Sequence, residues 1–308
     1  MNNTITVIGS YSVGMFFKGH ALPNPGETVN GYEFFEGPGG KGSNQLITSA
    51  VMGANTKFVA RIGNDRYGTD ALNMYKKYGI PTDLIKIDET AGTSVGAILI
   101  DSEGRNLINI VSGANGNLST EDIDSALPHV KDSFIVGFQL ENPVDTVMYG
   151  IKNLAESGIR TLLDPAPATV LPEDIYSSIY YLKPNEHEAK ILSGIEVVNT
   201  DTAKEACQWF KDKGVNTVII TLGEQGSVIM DSDGCRSLQA MKVNTVDTTG
   251  AGDIFSGSMM AMLAKGMYID EAVRFASAAA ALSVTRFGVV DAIPAYIEVV
   301  DFLKNYKG

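Results

Sequence analysis

The sequence predicts an α/β protein, a three-layer α/β/α body on a mostly parallel central sheet with a small β-rich lid. Three observations carry that prediction. From residue 119 onward, short apolar runs alternate with helix-length segments, the pattern of a parallel sheet covered on both faces. Two glycine clusters each stand where a strand should give way to a helix. Two β-rich stretches, residues 14–38 and 93–112, depart from the alternation and can meet in space as a lid.

The elements follow in order. Residues 5–8 form an apolar strand that ends at Gly9. A Gly- and Pro-rich region then runs to about residue 40, with a turn signal at Pro23-Asn-Pro-Gly26 and an extended strand at 28–35. Residues 43–52 read as a helix stopped by Gly53, 57–60 as a strand, and 67–78 as a helix stopped by Gly79. Segments 94–100 and 106–111 flank Asp101-Ser-Glu-Gly104 as a hairpin. Strands are expected at 134–137, 161–163, 179–182 and 217–221, and helices at 144–157, 186–192 and 202–213. A short strand at 241–246 should lead into the second glycine cluster and a buried helix at 254–264. Helices at 272–284, rich in alanine, and 295–305 close the chain. Residues 1–308 are thus expected to form a single α/β domain, with the lid discontinuous within it.

Composition narrows the partners. The chain has 308 residues, 44% hydrophobic and 19% charged, as in a soluble globular protein. A net charge of −12 and a pI near 4.7 argue against nucleic acid and against an anionic membrane surface. Cys207 and Cys235 make no CxxC pair, and His20, His129 and His187 form no cluster, so no structural zinc is expected. The N-terminus, Met1 to Gly9, has neither a basic region nor a long apolar run, and a cytoplasmic location is the default.

The most informative segment is Asp247-Thr-Thr-Gly-Ala-Gly-Asp253. A helix start carries unpaired amides and partial positive charge, and glycines let that backbone approach an anion. A phosphate can sit there with Asp253 fixed beside it, and in phosphoryl transfer such an acid takes the proton of an attacking hydroxyl. The plainer role for Asp253 is a first-turn acid favouring the helix dipole. The other cluster, Gly37-Pro-Gly-Gly-Lys-Gly-Ser-Asn-Gln45, contains G-x-G-x-x-G but does not follow the first strand, which weakens a dinucleotide reading. It offers Lys41 and Asn44 on a helix start, groups that suit a polyol.

Together the two clusters resemble the signatures of the ribokinase-like (PfkB-type) carbohydrate kinases. Gly26-Glu-Thr28, Asn185-Glu-His-Glu188 and Thr221-Leu-Gly-Glu-Gln-Gly226 match further motifs of that family in the same order, over nearly the whole chain. The resemblance implies a ribokinase-like fold and an ATP-dependent kinase that phosphorylates a primary hydroxyl of a small sugar. It implies that Asp253 is the base and that Gly250, Ala251 and Gly252 form the anion hole. Gly40, Lys41, Asn44 and Glu141 would touch the sugar, and Asn185, Thr221, Gly223, Gly226 and Gly252 the nucleotide. Glu188 would hold Mg²⁺ through water, K⁺ would sit near Asp247 and Gly288, and the lid would form a homodimer.

One departure bears on the substrate. The family's first strand is followed by an Asn and, two positions on, an Asp that grip sugar hydroxyls. Here Ser12 and Gly14 stand there. Loss of that carboxylate costs affinity for ribose unless another group replaces it. The sequence therefore predicts a sugar kinase not optimised for ribose. The alternatives are a nucleoside kinase with Phe16 or Phe17 as a stacking wall, a non-catalytic sugar or nucleotide sensor, and a nicotinamide oxidoreductase using Gly37 to Gly42.

Overall fold

In a computed structural model, residues 3–306 are described, so the reading of Met1 and Asn2 lies outside the described residues. The first half of the chain runs β1 (Thr4–Ile8), β2 (Ser12–Gly19), β3 (Gly31–Gly39), α1 (Lys41–Val51), β4 (Asn55–Gly63), α2 (Arg66–Lys77), β5 (Ile85–Asp88), β6 (Ser94–Ile100), β7 (Asn106–Val111), α3 (Thr120–Val130), β8 (Ile135–Phe138) and α4 (Val144–Glu156). The second half runs β9 (Arg160–Leu163), β10 (Tyr181–Leu182), α5 (Glu186–Ser193), α6 (Thr200–Asp212), β11 (Thr217–Thr221), β12 (Ser227–Asp231), β13 (Gly234–Leu238), α7 (Ala251–Ala264), α8 (Ile269–Ser283) and α9 (Tyr296–Asn305).

A nine-stranded sheet crosses the body in the order β13-β12-β11-β10-β9-β8-β1-β4-β5. Its pairs are parallel from β5 to β11, and only β12 and β13 turn antiparallel. Strand alternation splits the core in two. Ile5 and Val7 of β1 face the layer of α1, α7 and α8, while Ile8 faces the layer of α3, α4 and α6. α7 is apolar nearly all round and is buried from Asp253 to Ala264, as a helix packed on several sides must be. A second sheet, β3-β2-β6-β7, forms the lid from the two β-rich stretches. β2 pairs antiparallel to β3 and parallel to β6, so sequence-distant strands interleave.

The structure corrects several sequence readings. Residues 241–246 are not a strand. The chain leaves the sheet at Leu238, and the amides of Val246 and Asp247 donate to the Val284 carbonyl at the end of α8, at 2.7 and 3.1 Å. β2 occupies part of the Gly- and Pro-rich region that had been given only one strand, and the expected strand at 28–35 lies at Gly31–Gly39. The 179–182 strand shortens to Tyr181–Leu182. The β12–β13 hairpin, β5 and α3 were unread, although α3 carries a capping box between Ser119 and Asp122.

Candidate active site

Parallel strands end on one edge of the sheet, and the loops leaving that edge are where ligands of open α/β sheets bind. β1 delivers Ser10, β8 Glu141, β9 Asp164, β10 Lys183 and Asn185, and β11 the turn to Gly226. The N-termini of α1 and α7 meet at the same edge. Gly40 begins α1 at φ +89°, where an added Cβ would stand 2.7 Å from Tyr11 Cα and 2.9 Å from the Ser10 carbonyl oxygen. Only glycine fits that approach. Gly250 begins α7 at φ +74°, with Val289 Cγ1 only 2.3 Å from a Cβ position.

Asp253 lies in the first turn of α7 and is 5% exposed. Asn44 Nδ2 donates to its Oδ2 at 2.9 Å, and Gln45 Nε2 donates to its Oδ1 at 3.2 Å. Burial raises its pKa above the ordinary carboxylate range, Lys41 pulls it back, and Asp164 and Glu141 push it further up. Burial alone would lower the Lys41 ammonium, but the charges of Asp253, Asp164, Glu141 and Glu188 outweigh it and hold it above the ordinary lysine range. Glu141 accepts from the Lys41 amide at 2.8 Å and from the Ser10 hydroxyl, so it caps α1 from outside the helix.

A second layer of polar groups joins the two helices to the sheet. Asp164 Oδ2 forms an ion pair with Lys183 Nζ at 2.9 Å and accepts from Gln45 Nε2 and Ser256 Oγ, each at 2.9 Å. Gln139 Nε2 holds Gln45 Oε1 at 2.6 Å. Lys183 Nζ also lies over Gly252, 3.4 Å from its carbonyl oxygen. Asn44 Oδ1 and Gln139 Oε1 are buried without a partner.

The remaining predicted residues fall around this centre. Asn185 caps α5 by accepting from the Glu188 amide at 2.8 Å, and the Glu188 carboxylate returns to Asn185 N and Nδ2 at 2.8 and 3.0 Å. Burial, then the charge of Asp164, raises the Glu188 pKa against Lys183. A single parallel bridge joins Asn185 to Thr221. Gly223 and Gly226 turn the chain at φ +50° and +92°, and a Cβ on Gly226 would stand 2.0 Å from the Leu238 carbonyl oxygen. Asp247 accepts from Thr249 N at 2.9 Å and from Gly288 N at 3.1 Å. Against burial, these bonds hold its pKa below the ordinary range. Ser12 and Gly14 lie on β2 of the lid, paired with Gly39 and Gly37. Gly37 and Gly39 are therefore lid-strand residues, not the turn of a βαβ unit, which removes the dinucleotide fingerprint.

Sequence reasoning missed Ser10, Gln45, Gln139, Asp164, Lys183 and Ser256. A signal existed for two of them, since Asp164 and Lys183 each directly follow an apolar strand. A charge at the end of a parallel strand is a site signal.

The family model of pfkB family carbohydrate kinases matches residues 2–295. The chain is 35% identical to the ribokinase of Haemophilus influenzae over 99% of its own length and 100% of that protein. It is 33% identical to the deoxyribokinase of Salmonella typhi over 97% of its length and 98% of that protein. The structure of the Arabidopsis thaliana ribokinase complexed with ribose and ATP superimposes with a TM-score of 0.91, at 29% identity, over 99% of both chains. From the motif order, the sheet topology and these full-length likenesses, the chain belongs to the pfkB family of carbohydrate kinases.

Proposed function

We propose that the protein transfers the γ-phosphoryl group of ATP to a primary hydroxyl of a small sugar or sugar derivative, with a site not optimised for ribose. The observation that carries this reading is Asp253, buried in the first turn of α7, pinned by two amide side chains, with its pKa raised toward the working range of a base. Asp253 takes the proton of the acceptor hydroxyl while the hydroxyl oxygen bonds to phosphorus and the bond to ADP breaks. The backbone of Gly250, Ala251 and Gly252 receives the charge on the moving group. Gly40, Lys41, Asn44 and Glu141 face the acceptor, with Ser12 and Gly14 closing over it from the lid. Asn185, Thr221, Gly223 and Gly226 seat the nucleotide.

The charge balance supports a divalent cation. Four carboxylates act on Lys41, and Lys183 is paired to one of them. A polyphosphate entering this field needs positive charge brought with it. Among the described residues no three acidic, His or Cys side chains are placed to hold a metal directly. That suits Mg²⁺, which keeps its waters and binds through substrate phosphates. Glu188, each of whose oxygens accepts one bond from Asn185, has lone pairs left for such waters. When bound, Mg²⁺ would neutralise phosphate charge. K⁺ would lie beside the joined loops of Asp247 and Gly288.

A homodimer through the lid is part of the proposal. Leu107, Ile108, Ile110 and Val111 of edge strand β7 are all more than half exposed, and such an edge calls for cover. Cytoplasmic action fits a nucleotide-dependent enzyme, and among the described residues no helix is long and apolar enough to cross a membrane.

The test is ADP release with ATP across pentoses, hexoses, tetroses, sugar acids and nucleosides. Phosphorylation of a sugar is the expected result. An enzyme that makes no ADP with any acceptor, or one preferring nucleosides, overturns the reading.

A further inference from the structure

The acceptor end of the site has a wall that the chemistry of Asp253 does not use. Ser12, Gly14 and Phe16 alternate along β2 and share one face of the lid. The register sets Gly37 and Gly96 on either side of Gly14, and Phe35 beside Phe16. This face looks toward the body. A Cβ on Gly40, at the head of α1, would stand 2.8 Å from the Ser12 amide nitrogen, and the Phe35 ring meets Phe287 of the loop after α8 at 5.8 Å. Phe17 points to the other face, 42% exposed and with its ring tilted against that of Phe34. It is not part of the wall.

The three glycines in a row have no backbone reason to be glycine, since none has a positive φ. Gly14 and Gly37 make room that the Phe16 ring takes, while Gly96 lies against Ile98 and Ile110. Phe16 Cε2 lies 2.7 Å from the Cβ position of Gly14 and 3.8 Å from that of Gly37. The ring stacks on Phe35 at 4.6 Å, within 7° of parallel. Around Gly14 and Phe16 the lid face is therefore aromatic and offers no acceptor for a hydroxyl, the Ser12 hydroxyl lying two residues before Gly14 on the same face. In the first turn of α1, Asn44 is 5% exposed and its Oδ1 has no partner, while its Nδ2 is held on Asp253. That oxygen is left for one donor of the bound acceptor.

A sugar hydroxyl turned toward the Phe16 ring would lose its water and gain nothing. Such an unpaired group weakens binding by roughly ten- to a hundredfold. A C–H in the same place packs on the ring without loss. We propose that the Phe16–Phe35 wall makes this kinase selective for a deoxy sugar, an acceptor that presents C–H to the lid and keeps a hydroxyl for Asn44. The proposal rests on the sugar-kinase reading above.

The test compares ribose, 2-deoxyribose, 3-deoxyribose and a nucleoside with the purified full chain at saturating ATP. One deoxy sugar should exceed ribose in kcat/KM by about tenfold or more. Phe16→Ala should bring the two within about threefold without moving the KM for ATP, while Phe16→Leu, which keeps the wall apolar, should hold the preference. Gly14→Asp combined with Phe16→Ala should turn the preference toward ribose, because the ring that blocks Gly14 is gone. Ribose used as well as every deoxy sugar, a preferred nucleoside, or a ratio that ignores Phe16 overturns the proposal. Calorimetric binding of the same sugars reads the wall apart from turnover. If no sugar is phosphorylated but a deoxy sugar binds more tightly than ribose, the kinase reading fails and the wall stands. Equal binding, or none, ends the wall as well.

Discussion

Asn44 and Asp253 meet across two helix beginnings, with the Nδ2 of one 2.9 Å from the Oδ2 of the other. The contact ties the glycine cluster at the head of α1, proposed to face the sugar, to the cluster at the head of α7, proposed to face the phosphoryl group. Neither helix alone carries both halves of a transfer reaction. Removing the Asp253 charge should therefore leave the fold and lose the chemistry. Asp253→Asn is expected to lower kcat by roughly 10²–10⁴-fold, the usual weight of a general base, with an unchanged circular dichroism spectrum. Wild-type turnover in that variant would remove Asp253 from its role.

The pH profile follows from the field around Asp253. A protonated Asp253 cannot accept a proton, so activity should rise with pH through its raised pKa. Lys41 is the largest influence opposing burial there. Taking the ammonium away raises the pKa further, so in Lys41→Met the acid limb of kcat/KM should move to higher pH. A limb that stays in place, or moves down, contradicts the electrostatic account. Loss of sugar contact would appear separately in KM.

Lys183 and Asp164 are 4% and 3% exposed at their side chains and lie 2.9 Å apart. Breaking a buried pair by removing one partner strands the other charge, at a cost of about 3–5 kcal/mol. Lys183→Met and Asp164→Ala should each destabilise on that scale in urea titration, and the double variant should lose clearly less than the sum. Additive losses would mean that the pair is not coupled.

Gly226 tests the proposed nucleotide loop. Its φ of +92° with ψ of −128° is a conformation open to glycine and costs an L side chain about 1–3 kcal/mol, and a Cβ would strike the Leu238 carbonyl oxygen at 2.0 Å. Gly226→Ala should raise the KM for ATP by about tenfold and leave the KM for the sugar alone. The reverse pattern would place the loop at the acceptor.

Much of this was legible in the residues because it is local. β11 at Thr217–Thr221 and the β6–β7 hairpin follow directly from alternation and turn chemistry. The site of Asp253 follows from two glycines before an apolar helix. β2 was hidden because Gly14 and the mixed exposure of its neighbours blur the alternation. The 241–246 segment had the pattern of a strand but spends its last amides on the end of α8. The polar centre was hidden for a different reason. Asp164 pairs with Lys183 only because β9 lies beside β10 in the sheet, and no spacing along the chain encodes that neighbourhood.

Phe287 immediately precedes Gly288, whose amide holds Asp247. Its ring touches Phe35 of the lid, and the Lys18 ammonium sits 5.2 Å from both rings. If β3 swings away from the body, it must pull free of that aromatic clasp, and the tension falls on the peptide that anchors the Asp247 loop. In the proposed reaction, opening the door for sugar and loosening the floor under the phosphoryl group would then be one event. An enzyme wired this way would be slow to waste ATP on water, because the floor firms up only once the door has shut.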